Sequence, residues 1–90
     1  MAQNDTIEND ERMPFESPVC VSIGGSTRRE VKSAHGASEV MIDWPHARRG
    51  PEYQKTVEVL EAARAGRATA AEARAAFLSF ARHAGVHVDT

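Results

Sequence analysis

The chain has 90 residues, 41% hydrophobic and 27% charged, with a formal net charge of −2. That is enough for one small globular domain, and no apolar run approaches the length needed to span a bilayer. The single cysteine, Cys20, excludes an intramolecular disulfide and a cysteine-based zinc site.

The charge is unevenly spread. Residues 1–16 hold five acids (Asp5, Glu8, Asp10, Glu11, Glu16) against one base (Arg12), a net −4, while residues 17–90 hold eight acids against ten bases, a net +2. The first segment has little to bury and no period, so it reads as a disordered acidic tail, with Pro14 and Phe15 beginning to touch the domain. It lacks the charged-then-apolar pattern of a secretory signal, and the chain reads as cytoplasmic. Residues 17–90 read as a single α+β domain.

That domain opens with Pro18-Val19-Cys20-Val21-Ser22-Ile23, where Val19, Val21 and Ile23 alternate as in a half-buried strand. Gly24-Gly25-Ser26 supplies a hairpin turn, and Thr27 to Lys32 forms the return strand. There Val31 faces the core, and the charges of Arg28 and Lys32 or their neighbours suit an edge strand that must not pair with another molecule. Ser33 is an N-cap for a helix that presents Ala34, Ala37, Val40, Met41 and Trp44 on one face. Pro45 ends it at Asp43 or Trp44.

Pro51 opens a second helix, with Tyr53, Val57, Leu60 and Ala63 inward and Glu52, Lys55, Glu58 and Glu61 outward. Gly66 closes it in a left-handed cap. Thr69-Ala70-Ala71-Glu72 is a capping box for a third helix that buries Ala73, Ala76, Phe77, Phe80 and Ala84 and ends at Gly85. Val86-His87-Val88 reads either as a short final strand or as the hydrophobic tail of that cap. The expected architecture is an N-terminal β-hairpin packed against three α-helices.

Several of these residues form a recognisable set. Pro18-Val19 with Gly24-Gly25, Trp44-Pro45 followed by Arg49-Gly50-Pro51-x-Tyr53, and Glu72-Ala73-Arg74-x-Ala76-Phe77 before Ala84-Gly85 resemble the domain of unknown function family 982, small proteins of rhizobia and related alphaproteobacteria. The resemblance covers Phe15 to Val88 and leaves out the acidic tail. It implies fold and origin and carries no catalytic residues.

Function has to be sought in side chains that the fold does not require. The segment Trp44 to Tyr53 holds the only Trp and the only Tyr, two prolines and an Arg pair. Trp, Tyr and Arg dominate binding interfaces, and a break between helices reaches the surface. Trp44 and Tyr53 also suit plain core anchors, which leaves His46, Arg48 and Arg49 as the residues for a partner. The leading expectation is a non-enzymatic protein-interaction module that binds a protein partner through this junction. The alternative is nucleic-acid binding by Arg28, Arg29, Lys32, Arg48 and Arg49, although no known nucleic-acid motif matches.

Other chemistry finds little support in the residues. The Lys and Ser/Thr of a phosphate loop are missing, Cys20 has no identifiable base or third group, and Gly85 separates His83 from His87. No cofactor, metal or catalytic residue is expected. Leu78 lies off the main face of the third helix. Either that helix packs on two sides, or Leu78 with Ala71 and Ala75 forms the self-complementary patch of a homodimer.

Overall fold

The computed structural model describes residues 13–23 and 28–88. Two elements of the sequence reading lie outside them: residues 1–12 of the tail and the Gly24-Gly25-Ser26 turn, with Thr27. The described chain forms β1 (Pro14–Val21), β2 (Arg29–Ser33), α1 (Ala34–Ile42), a 3-10 turn (His46–Arg48), α2 (Pro51–Arg64) and α3 (Ala70–Ala84). The two strands are antiparallel, so the fold is the expected α+β hairpin followed by three helices. Among the described residues no helix is long and apolar enough to cross a membrane.

The first strand starts earlier than the sequence reading placed it. Pro14 to Glu16, read as the end of the tail, belong to β1, and Phe15 is buried at 9% exposure. The register explains how an irregular stretch can be strand. Pro14 pairs with Ser33 and Val19 with Val31, so β1 carries extra residues between these points and bulges. Pro18 sits in that interval, where the absence of an N–H removes no ladder bond. The bulge lets both Phe15 and Val19 reach the core, and the Ser17 carbonyl accepts a hydrogen bond from Arg74 Nε on α3 at 2.8 Å.

Strict alternation also fails at Cys20. Its side chain is buried at 6% exposure, between the buried Val19 and Val21. The C-terminal segment pairs with the free edge of β1: Ser22 N–H donates to Val86 O at 2.8 Å and Val88 N–H donates to Cys20 O at 2.9 Å. An isolated antiparallel bridge joins Val21 and His87. The final segment thus meets β1 at one isolated bridge, while Val86 N–H donates to Ala81 O at 3.0 Å and its side chain packs against the core, so the strand-like and helix-cap readings coexist.

Each helix has the end its residues prescribe. Ser33 Oγ accepts from Gly36 N–H at 3.0 Å and caps α1. At the end of α2, Arg67 N–H donates to Ala62 O and Gly66 N–H to Ala63 O, with Gly66 at φ +83°. This is a Schellman motif, and the left-handed φ favours glycine. Thr69 and Glu72 form the reciprocal capping box of α3, and Gly85 at φ +76° terminates it.

The inner faces hold with small shifts. The α1 face is buried from Ala34 to Trp44 as expected. On α2 the buried side chains are Thr56, Leu60 and Ala63, while Tyr53 and Val57 pack at the core margin. Thr56 is tolerated inside because its hydroxyl donates to Glu52 O at 2.8 Å. On α3, Ala81 is buried while Ala76 and Ala84 are half-buried. Phe77, Met41 and Leu60 are the largest fully buried side chains, each contributing about 1.5–3 kcal/mol of hydrophobic stabilisation.

Candidate functional site

The junction is built on the C-terminal end of α1, whose last carbonyls need partners once the helix stops. α1 has no basic residue in its last turn. The partners come from beyond the break. Tyr53 Oη donates to Met41 O at 2.9 Å, Arg49 Nη2 to Ile42 O at 3.0 Å and Arg49 Nε to Trp44 O at 3.1 Å. The Arg49 guanidinium also lies 4.6 Å from the Tyr53 ring centroid, a cation–π contact. Its charge complements the negative end of the helix dipole.

These contacts distinguish the two residues of the Arg pair. Arg49, read from sequence as a residue for a partner, is engaged by the fold itself. Arg48 is different. Its backbone carbonyl accepts from Trp44 Nε1 at 3.3 Å, but its side chain is exposed, as is that of His46. Among the described residues neither side chain makes a hydrogen bond or ion pair.

Trp44 is buried at 4% exposure and meets Phe80 edge-on, with ring centroids 5.0 Å apart. Tyr53 meets the same ring at 6.2 Å. Trp44, Tyr53 and Phe80 form one wall of a surface cavity of about 160 Å³, closed by Arg48, Gly50, Pro51, Glu52, His83 and Ala84. Its volume is comparable to that of an enclosed apolar cavity that holds a benzene ring, about 150 Å³. Gly50 has an ordinary extended backbone at φ −102°, and a Cβ built on it would meet nothing within 4 Å. The fold therefore does not demand glycine there.

Phe80, His83 and Ala84 join this site although the sequence reading did not assign them to it. The signal was present: the inward face of α3 continues past Phe80 by helical spacing toward the junction. His83 and His87 part company at Gly85. His87 lines a separate concavity of about 580 Å³ with Ser17, Pro18, Cys20, Glu30, Arg74 and Val88. No group of three potential metal ligands occurs among the described residues.

Arg29 and Lys32 of the hairpin line a concavity beside β2, and Arg48 lines the junction cavity. Arg28 and Lys32 are exposed, and Arg29 pairs with Glu39 at 3.7 Å. Leu78 is half-buried and packed against the core cluster, while Ala71 and Ala75 are exposed.

Neither a curated protein nor a solved structure matches the chain. A family match covers residues 17–88, from the bulge of β1 through the Trp44–Tyr53 junction to the closing segment of the sheet. The chain belongs to the family described as Protein of unknown function (DUF982).

Proposed function

We propose that the protein is a non-enzymatic interaction module that receives one apolar side chain of a protein partner in the junction cavity. The observation that carries this reading is the cavity of about 160 Å³ walled by Trp44, Tyr53 and Phe80, with Arg48 at its margin. Aromatic walls supply a preformed apolar pocket, and the exposed guanidinium supplies a carboxylate contact beside it. The favoured partner segment is a Phe or Leu flanked by acidic residues. Rigid aromatic walls also keep the ordering cost of binding low, because Phe80 braces both neighbouring rings.

Trp44 is the only tryptophan, so its fluorescence reports directly on the cavity. Titration with peptides carrying one Phe or Leu among Asp and Glu is expected to shift that emission. Gly50→Asn retains a good N-cap residue and adds bulk at the cavity, so it is expected to abolish the response while the fold persists. Arg48→Ala is expected to weaken binding to acidic peptides about tenfold, the equivalent of one charge-assisted contact. An unchanged Trp44 signal across the peptide series would remove the reading.

The nucleic-acid alternative has weaker support. Two of its five cations, Arg29 and Arg49, are engaged by Glu39 and by the backbone carbonyls of Ile42 and Trp44. Arg28, Lys32 and Arg48 remain for phosphates, and their binding would weaken steeply with salt.

A further inference from the structure

We propose that β2 pairs, antiparallel and edge to edge, with β2 of a second copy of this chain in one register centred on Val31. The sheet has two outer edges with unequal fates. The β1 edge is covered by the segment around His87, through the hydrogen bonds of Ser22 and Val88. The β2 edge pairs with nothing among the described residues, since the sheet order is β1-β2 alone. A groove of about 200 Å³ runs beside it, lined by Arg29 to Ser33 with Gly36 and Glu39 of α1. Gly36 has no side chain to project into that groove, and Arg29 is drawn toward Glu39 at 3.7 Å.

Charges on an edge strand ordinarily discourage pairing, and the register decides whether they do so here. Val31 and Ser33 are buried while Glu30 and Lys32 are exposed. Two β2 strands form one continuous sheet only if positions of one face oppose positions of the same face, because successive side chains alternate between faces. Among registers that satisfy this, centring on Val31 sets Glu30 opposite Lys32 of the second copy and Lys32 opposite its Glu30. Centring on Glu30 instead opposes two glutamates and sets Arg28 against Lys32, and centring on Lys32 opposes two lysines. Directly opposed like charges destabilise a pair and opposite charges stabilise it. The two-fold arrangement closes on itself, so it yields a dimer rather than a filament. One short strand from each copy buries less than the roughly 1,000 Å² typical of stable interfaces, so the association is weak and concentration-dependent. This surface is distinct from the junction cavity.

Sedimentation equilibrium of the full chain from micromolar to millimolar protein tests the proposal. The wild type is expected to shift from monomer to dimer. Glu30→Lys and Lys32→Glu are each expected to weaken the dimer about tenfold or more, since each places like charges at both symmetry-related positions. The combined exchange is expected to restore wild-type association. A wild type that stays monomeric to millimolar concentration would overturn the proposal. So would a dimer indifferent to the single changes, or one the combined exchange fails to restore. Amide hydrogen exchange of the wild type needs no variant: residues 29–33 should gain protection as the dimer forms, and unchanged protection there counts against the pairing.

Discussion

Arg48 and Arg49 are neighbours with the same chemistry and opposite employment. Arg49 reaches back to two carbonyls at the end of α1 and stacks on Tyr53, while Arg48 contributes its carbonyl to Trp44 and leaves its side chain in solvent. Arg49→Ala should therefore destabilise the protein by about 1–2 kcal/mol, discounted because the site is only partly buried. Arg49→Lys should recover little, because an ammonium cannot reproduce the planar fork. Arg48→Ala should leave stability within about 0.5 kcal/mol of wild type. Urea denaturation of the three variants separates these outcomes. Tyr53→Phe, followed in the same way, should cost about 1 kcal/mol through the lost bond to Met41 O. Sequence placed Arg48 and Arg49 in one functional group because a free and an engaged guanidinium look alike until the acceptors are located.

At the scale of elements, the helix ends were legible in advance because a cap is local. Ser33, the Thr69–Glu72 box, Pro51, Gly66 and Gly85 each act within a few residues of their own position. Thr69→Ala should cost about 1 kcal/mol, with α3 fraying first in amide exchange. Gly85→Ala should cost about 1–2 kcal/mol because φ +76° is unfavourable for a residue with a Cβ. Thermal unfolding by circular dichroism measures both. The strands were less legible. Period-two alternation found Val19 and Val21, but it could not anticipate the bulge that recruits Phe15 or the late segment that covers Cys20's edge. Those features depend on what lies opposite the strand, and β1 alone does not specify its partners.

At the scale of the whole molecule, Phe77 and Phe80 on α3 tie the domain together. Phe77 is fully buried, and Phe80 holds Trp44 and Tyr53 edge-on, so that α3 braces the junction between α1 and α2. Phe77→Ala should cost about 3–5 kcal/mol, a large part of the about 5–15 kcal/mol typical of a folded domain. Its far-UV circular dichroism melt should begin well below that of the wild type. The sequence by itself determined the fold class, the helix ends and most of the apolar faces, because periodicity and capping are short-range properties of the chain. Tertiary structure decided the geometry of the junction. Only the packed chain brings Arg49 and Tyr53 onto the carbonyls of α1 and sets Phe80, His83 and Ala84 beside Trp44 to form a cavity. Both results rest on contacts between elements, whose distances in space no spacing along the chain prescribes.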